Sequence, residues 1–270
     1  MSTKDLAKKI RFDALRMTHK ARSGHIGSIL SIADILAVLY GKFLKVDPNS
    51  PENINRDYII LSKGHAAAGL YAVLSELGFI NNKELDTFYQ NGSRLLGHVH
   101  HAGIPGVEFS AGSLGHGLPV GIGLALASRM DHRPNRTAVL MSDGELNEGS
   151  CWEAFHFAGV HEIGNIFTII DYNGFQSLGS TEEILSLEPL SDKISAFRWE
   201  IKIIDGHSHQ KLAKVLDDIK FSPKNRPTCI IAKTIKGKGV SFMENDNLWH
   251  NKSPQGSDYE KALQELQINL

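Results

Sequence analysis

The amino-acid sequence predicts an α/β fold, with a doubly wound, mainly parallel sheet flanked by helices. Five β-rich runs alternate with helical stretches along the 270 residues, at positions 57–61, 137–141, 166–171, 200–205 and 228–234. Alternation of this kind is typical of strand–helix–strand units, whose successive strands run parallel. Polar residues follow several of these runs, and open α/β sheets bind ligands at the carboxyl ends of their strands.

The first 130 residues are predicted to be mainly helical. Residues 3–20 carry apolar side chains at helical spacing, and Ser31 is a suitable N-cap for a second helix that runs to about residue 44. Further helices are expected between the first strand and residue 77, and at residues 82–90. A long loop rich in Gly and His, residues 91–113, indicates a functional segment rather than a simple connector. Residues 114–130 predict a Gly-rich, tightly packed and buried helix.

The remaining residues continue the alternation of strands and helices. Helices are expected at residues 149–162, 190–199 and 210–221, whereas residues 177–186 show no regular pattern. The chain length suits one large α/β domain. Residues 1–270 are therefore predicted to form a single domain, with a peripheral tail after about residue 247.

The composition is that of an ordinary globular protein, with 41% hydrophobic and 22% charged residues and a formal net charge of −1. This charge gives no electrostatic reason for binding nucleic acid or an anionic membrane. No apolar run is expected to reach the length of a membrane-spanning helix, and the Lys-rich start lacks the apolar core of a secretory signal. Cys151 and Cys229 lack CxxC spacing and are expected to be reduced core thiols, which predicts a cytoplasmic location.

The most specific polar pattern lies in the strand–helix–strand unit at residues 137–173. Its first strand ends in Ser142-Asp143-Gly144, and its second strand is followed by Asn173. Because both strand ends meet at one edge of a parallel sheet, Asp143 and Asn173 offer two oxygen ligands for magnesium or calcium, with coordination positions left for phosphate. Gly144 lets the backbone approach a ligand closely and offers an N–H group.

Several histidines in loops form a second pattern, because each of them follows a glycine: His25, His65, His98 and His116. A single histidine is more often a satisfied polar residue than a catalytic one. A group of histidines at the ends of strands and helices of one sheet is different, since this edge is where a polar active site forms. Histidine titrates near neutrality, so it can move a proton or donate a hydrogen bond to a developing alkoxide.

These segments together resemble the amino-terminal, diphosphate-binding half of transketolase. Asp143-Gly144 followed by Asn173, with 28 residues between, resembles the thiamine-diphosphate signature, with Ser142 where the family usually has Gly. Further segments match that family in its order and cover about the first 250 residues: Ser23-Gly24-His25, Leu61-Ser62-Lys63-Gly64-His65, Gly97-His98, Gly112-Ser113-Leu114-Gly115, and Lys233-Thr234-Ile235-Lys236-Gly237 with His250. Several ordered matches are more specific than any one of them.

The resemblance implies thiamine diphosphate and a divalent metal, Mg²⁺ or else Ca²⁺ or Mn²⁺, as cofactors. The metal ligands would be the side chains of Asp143 and Asn173 and the backbone carbonyl of Phe175. The diphosphate would be contacted by the Gly144 N–H and by His65. Other residues implied to bind the cofactor are Gly112, Ser113, Leu114 (near the aminopyrimidine), Glu148 and His250.

The resemblance also implies a substrate channel lined by catalytic histidines, namely His25, His65, His98 and His250, with His98 placed to contact hydroxyls of the donor sugar. Glu148 would lie at a subunit interface, in an acid network that links paired cofactor sites. An ordinary acidic residue at a helix N-terminus is an equally good interpretation of Glu148.

The implied activity is transfer of a two-carbon ketol unit from a ketose to an aldose, and sugar phosphates are the expected substrates. No residue here matches the Glu that activates the aminopyrimidine in the family's second domain. We therefore expect the amino-terminal subunit of a split transketolase, completed by a carboxy-terminal subunit with the pyrimidine domain in an α2β2 assembly. Two alternatives stay open: a related thiamine enzyme half (a specialised sugar transketolase, or one like deoxyxylulose-phosphate synthase), and a non-catalytic thiamine-diphosphate-binding subunit.

Overall fold

The computed structural model describes residues 1–101, 103–221 and 225–268. Within these residues one sheet contains five strands: β1 (Tyr58–Leu61), β2 (Thr137–Ser142), β3 (Ile166–Tyr172), β4 (Glu200–Asp205) and β5 (Thr228–Lys233). Their order is β1-β2-β3-β5-β4, and every neighbouring pair is parallel. The α/β fold with a parallel sheet is confirmed, and each strand lies within one residue of its predicted bounds.

Helices connect the strands and cover both faces of the sheet. In the described residues the α-helices are α1 (Thr3–Ala21), α2 (Ile26–Val38), α3 (Ala67–Glu76), α4 (Gly117–Met130), α5 (Gly149–Val160), α6 (Thr181–Leu185), α7 (Leu190–Ala196), α8 (His209–Asp218) and α9 (Ser257–Ile268). Shorter 3₁₀ turns include Gly64–Ala66, Asn82–Thr87, Gly144–Asn147 and Asn247–His250, and a π-helical turn at Leu39–Phe43 extends α2.

The sheet is buried on both faces, which is why its strands are continuous apolar runs rather than alternating ones. Successive side chains of a strand point to opposite faces. Leu140 and Ile169 pack with helices α1, α2, α3, α8 and α9, whereas Val139 and Ile170 pack with α4, α5 and α7. The two hydrophobic cores on opposite faces make the sheet doubly wound, as predicted.

Helix α2 begins at Ile26, so the prediction of an N-cap at Ser31 was wrong. His25 precedes the helix in the left-handed conformation, with φ of +70°. Ser31 instead lies inside the helix, where its buried hydroxyl donates to the carbonyl of Ser28 (2.9 Å) and to Oδ2 of Asp171 (2.6 Å). A partner distant in sequence therefore replaces the local capping bond that the sequence pattern indicated.

The segment Ile26–Phe43 is long and apolar enough to cross a membrane by length and composition alone, with a mean hydropathy of 1.6 over 18 residues. This differs from the expectation that no apolar run would reach that length. However, 89% of the segment is buried inside the fold, where α2 packs against α1, α3 and α8. Its apolar character is that of a central core helix.

Four further predictions differ from the structure. The helix expected at residues 82–90 is a shorter 3₁₀ turn, Asn82–Thr87, which ends where Phe88 adopts a non-helical ψ of 128°. Residues 177–186 contain α6, which Ser180 caps by accepting the N–H of Glu183 at 3.2 Å.

Helix α4 is only half-buried, since its second face is open and Met130 is 77% exposed. The expected peripheral tail instead packs on α1 through two buried residues of α9, Ala262 and Leu266.

Two glycines in helices allow the effects of packing and of helix propensity on stability to be measured separately. A Cβ on Gly159 of α5 would overlap the backbone carbonyl oxygen of Phe197, whereas a Cβ on Gly123 of α4 would meet no atom within 4 Å. Alanine favours a helix over glycine by about 1 kcal/mol, and overpacking costs about 1–3 kcal/mol or more.

We expect Gly159→Ala to lower the free energy of unfolding by about 1–3 kcal/mol, because the backbone at Phe197 must move. The matched control Gly123→Ala should raise it by up to about 1 kcal/mol. Urea denaturation of both variants and of the wild-type chain measures the difference. A stabilised Gly159→Ala variant would contradict the close packing of α5.

Candidate active site

A cavity of about 200 Å³ opens at the carboxyl edge of the sheet. Its wall is built from the segments that follow β1, β2, β3 and β5, together with the start of α2 and part of the long loop at residues 91–116. The lining residues are His25, Ser28, His65, His98, Gly112, Leu114, Ser142, Gly144, Asn173, Phe175, Gln176, Ser177, Lys236 and His250. The parallel arrangement thus brings side chains from distant parts of the chain to one edge, as expected for this fold.

The four predicted histidines form one cluster in the cavity wall. The ring of His25 lies 5.2 Å from that of His65, 5.5 Å from that of His98 and 5.2 Å from that of His250, measured between centroids. His25 is held in place because its backbone N–H donates to the backbone carbonyl of His250 at 2.7 Å. His98 is the most exposed of the four and lies at the mouth.

The cluster is uncharged at neutral pH. Burial lowers the pKa of His25 to about 4 and that of His250 to about 3, with further lowering from nearby cations. Burial also lowers the pKa of His65 well below its usual value, and it lowers the pKa of His98. Neutral imidazoles can each donate one hydrogen bond and accept another.

Lys236 supplies positive charge to the same wall. Its Nζ donates to Oδ1 of Asn247 at 2.6 Å and lies 3.1 Å from Nδ1 of His250. Because an ammonium group only donates, Nδ1 of His250 accepts, and the proton of that ring is on Nε2. Burial, together with the charge of Lys63, lowers the pKa of Lys236 to about 8. Lys236 belongs to a segment that matches the family, but no role for it was predicted from the sequence.

A buried ion pair lies beneath the cavity. Lys63 and Asp171 are both inaccessible to solvent, and the ammonium of Lys63 contacts Oδ2 of Asp171. The same Asp171 carboxylate accepts hydrogen bonds from Ser31 (2.6 Å), from Nδ2 of Asn173 (3.0 Å) and from the hydroxyl of Thr234. The pair was not predicted from the sequence, because Lys63 stood out only as part of a motif and Asp171 only as a strand end.

The residues expected to hold a metal are adjacent in space. Asp143 is buried, and its two oxygens accept the N–H groups of Gly144 (2.8 Å) and Gly174 (2.6 Å). Burial and the nearby charge of Asp171 raise the pKa of Asp143 to about 7. The side-chain oxygen of Asn173 accepts the N–H of Phe175 at 3.0 Å. A carboxylate that is costly to ionise in this setting suits a bound cation.

The donor set fits a metal that also binds phosphate, rather than a site made by protein ligands alone. Among the described residues, no group of three or more His, Cys, Asp or Glu side chains could hold a metal ion. One carboxylate, one amide oxygen and one backbone carbonyl leave about three positions of an octahedral magnesium ion for phosphate oxygens and water.

Two features of the wall fit an anionic ligand with a close approach to the backbone. Nε2 of Gln176 is buried and has no hydrogen-bond partner among the described residues, although it belongs to a cavity-lining residue. A buried amide without a partner is costly, so a ligand acceptor at this position is favourable. A Cβ on Gly112 would meet no protein atom within 4 Å, which leaves space beside this turn.

Three predicted cofactor residues lie outside the cavity wall: Asp143, which is buried beneath it, and Ser113 and Glu148. Ser113 and Glu148 are exposed, and neither lines the cavity, whereas Gly112 and Leu114 do. Glu148 immediately precedes α5 and packs against Gly115, where an added Cβ would lie 2.7 Å from the Cβ of Glu148. The structure places Glu148 at the surface beside α4 and α5, so its expected role at an interface stays a prediction.

Glu145 is a buried acid that was not predicted from the sequence. Its carboxylate accepts the hydroxyl of Ser62 and the N–H groups of Gly115 (2.9 Å) and Ser142 (3.3 Å). Burial raises its pKa. The residue joins the ends of β1 and β2 to the turn that carries Gly112 and Leu114, and therefore positions the cavity wall. The sequence signal for this residue was its position, since it is an acid that directly follows Asp143-Gly144.

Comparison with known proteins agrees with this geometry. Residues 2–267 match the family model described as "Transketolase, thiamine diphosphate binding domain". The chain is 39% identical to an apulose-4-phosphate transketolase subunit of Phocaeicola vulgatus, over 96% of this chain and 92% of that relative. It is also 39% identical to the 6-deoxy-6-sulfo-D-fructose transketolase subunit SqwG of Clostridium sp., over 97% of this chain and 94% of that relative.

Longer transketolases resemble the chain over part of their length. Human transketolase is 36% identical over 97% of this chain, which spans 42% of that relative. The crystal structure of transketolase from Campylobacter jejuni superposes with a TM-score of 0.89 at 32% identity, over 98% of this chain and 42% of that one. Because the family model spans residues 2–267 and the relatives match nearly the whole chain, the chain belongs to the transketolase family and corresponds to its thiamine-diphosphate-binding domain.

Proposed function

We propose that this chain is the cofactor-binding subunit of a two-subunit transketolase, which transfers a two-carbon ketol unit from a ketose to an aldose. The observation that carries the proposal is the convergence of four neutral histidines and the ammonium of Lys236 on one cavity above the Asp143–Asn173 pair. The ammonium of Lys236, in a wall lined by no carboxylate, suits anionic, phosphorylated sugars.

Thiamine diphosphate would be held with its diphosphate toward Gly144, His65 and Gln176, and with its rings toward Gly112 and Leu114. When bound, this cofactor supplies the nucleophilic carbon and the electron sink that carbon–carbon bond cleavage requires. Mg²⁺, or Ca²⁺ or Mn²⁺ in its place, would be held by Asp143, Asn173 and the carbonyl of Phe175. These oxygens are the hard ligands that such ions prefer.

The protein's own contribution is orientation and proton handling. His98 lies at the mouth, where its ring can hydrogen-bond a hydroxyl of the donor sugar. His25, His65 and His250 lie deeper and are neutral, so a ring N–H can donate a hydrogen bond to a developing alkoxide, and a free ring nitrogen can accept one from a hydroxyl. The non-catalytic alternative explains less, since cofactor binding alone requires no cluster of this extent. We propose a cytoplasmic enzyme, consistent with free thiols at Cys151 and Cys229.

The partner would be a carboxy-terminal subunit with the pyrimidine domain, in an α2β2 assembly. The two relatives named as transketolase subunits support this proposal, because the chain spans 92% and 94% of their lengths. An apolar patch on α4 and α5 offers an interface, with Leu126 and Gly123 lining a groove beside Phe157, which is itself 44% exposed. The exposed Glu148 precedes α5 at the same surface.

The partner requirement is tested by assaying ketol transfer with magnesium and thiamine diphosphate, for the chain alone and mixed with a carboxy-terminal transketolase subunit. We expect turnover only in the mixture, because the residue that activates the aminopyrimidine is proposed to come from the partner. A circular-dichroism spectrum of the chain alone serves as the control for folding. Robust turnover by the chain alone would overturn the two-subunit proposal.

The metal ligand is tested with Asp143→Asn, which removes a charged oxygen from the proposed site. Calorimetric titration of the assembled enzyme with thiamine diphosphate and magnesium should show affinity reduced at least about tenfold, which corresponds to about 1.4 kcal/mol. Asp192→Asn, at an exposed position in α7, is the matched control for charge. Unchanged affinity in the Asp143 variant would contradict the assignment.

Gln176 is tested with two replacements of similar size. If its amide donates to the diphosphate, Gln176→Met should weaken cofactor binding by roughly threefold to tenfold, as expected for one hydrogen bond. Gln176→Glu should weaken it further, because a carboxylate would face the anion. Gln90→Glu, at an exposed site, controls for the added charge. Equal binding by the Met and Glu variants would show that Gln176 does not face the diphosphate.

A further inference from the structure

A second cavity, of about 310 Å³, lies where the amino-terminal turns of α1 meet the connection between β4 and α8. It shares no lining residue with the candidate active site. Five of its nine lining residues are charged: Lys4, Lys8, Arg11 and Lys238 are basic, and Asp34 is acidic. Leu266 of α9 adds an apolar side.

Asp34 is unavailable to any ligand, because four hydrogen bonds occupy its carboxylate. Each oxygen accepts one N–H from the guanidinium of Arg11. In addition, Oδ2 lies 2.8 Å from Nδ1 of His207, and Oδ1 lies 2.9 Å from Nε2 of His209. A carboxylate has about four lone-pair positions, so this one is saturated. The charges of Asp34 and Arg11 also offset each other, which excludes a cation site here.

The remaining charge of the wall comes from lysines. Lys4 and Lys8 are one helical turn apart on α1, and no carboxylate of the described residues pairs with either. Lys238 lies 3.2 Å from Glu244, which is outside the wall and also accepts the N–H of Gly239. The other nearby acid, Asp5, accepts the hydroxyl of Ser2 at 2.6 Å.

The backbone adds positive potential to that of the lysines. The first turns of α1 and α8 touch, since Oγ1 of Thr3 lies 2.8 Å from Nδ1 of His209. A helix N-terminus carries a partial positive charge, although in α1 the N-cap Ser2 and the first-turn Asp5 offset part of it, and in α8 the N-cap Ser208 accepts the N–H of Lys211. Three features therefore coincide: a cavity, two lysines (Lys4 and Lys8) that form no ion pair with a described carboxylate, and a saturated acid.

We propose that this cavity binds a small molecule that carries a phosphate group, held by Lys4, Lys8 and Lys238, with its carbon portion against Leu266. The cavity has the size of a small-molecule site, which a lone inorganic ion would fill only in part. The site is independent of the proposed transketolase activity, because none of its residues lines the catalytic cavity.

The test uses the full chain and inorganic pyrophosphate without magnesium as the probe. Hydrogen–deuterium exchange should show protection of peptides that cover residues 3–11 and 205–212, apart from any protection at the candidate active site. Lys4→Gln combined with Lys8→Gln should abolish that protection and reduce the affinity of this site at least about tenfold, because two charge-assisted hydrogen bonds are lost.

Lys20→Gln combined with Lys83→Gln is the matched control, since it removes the same charge at exposed positions away from the cavity. This control pair should bind the probe like the wild-type chain. A parallel titration with glucose 6-phosphate and inorganic phosphate measures the contribution of the carbon portion, and tighter binding of the sugar phosphate supports the proposal. Protection confined to the candidate active site, or an equal loss in both double variants, would overturn it.

Discussion

The buried ion pair between Lys63 and Asp171 is the constraint on which the cavity depends. Two ions without access to water each lose several kcal/mol of solvation, which is regained only if the geometry satisfies both. Asp171 achieves this with hydrogen bonds from Ser31 of α2, from Asn173 and from Thr234, which follows β5. Lys63 also donates to the carbonyl of Ser28 at 3.2 Å. Polar groups from four segments are thereby fixed relative to one another. The positions of the side chains that line the cavity above them therefore depend on this ion pair.

The floor of the cavity, formed by Asp143, Asp171 and Lys63, differs from its wall in the charges that it carries. In the floor, carboxylates accept N–H groups or contact Lys63, yet burial and the nearby charge of Asp171 raise the pKa of Asp143 to about 7. In the wall, the ammonium of Lys236 and the neutral histidines face an interior without a carboxylate. A cation at the floor and a multiply charged anion above it would complement both halves at once, which is the arrangement of a metal-bound diphosphate.

The sequence predicted most of the sheet and the membership of the histidine cluster, because these depend on local patterns. Apolar runs buried on both faces give clear strands, and strand order brings their carboxyl ends together whatever the side-chain details. Predictions failed where a distant partner overrides a local rule: Ser31 bonds Asp171 rather than capping α2, and Leu266 is buried by α1. The saturation of Asp34 and the orphaned amide of Gln176 are likewise products of tertiary structure, with no signature in a short window of sequence.

The loop after β5 has two faces that belong to different cavities. Lys236 points into the histidine-lined cavity, while Lys238, two residues later, lines the basic one, and Arg11 donates to the carbonyl of Lys238 at 3.0 Å. Between them, the N–H of Gly237 donates to the carbonyl of Gly27, at the start of α2. A single peptide segment, residues 236–238, thus separates the two cavities and contributes side chains to both. Thermodynamic linkage makes any coupling through such a partition reciprocal: an occupant on one side that changes the affinity of the other is itself bound more or less tightly by the same factor.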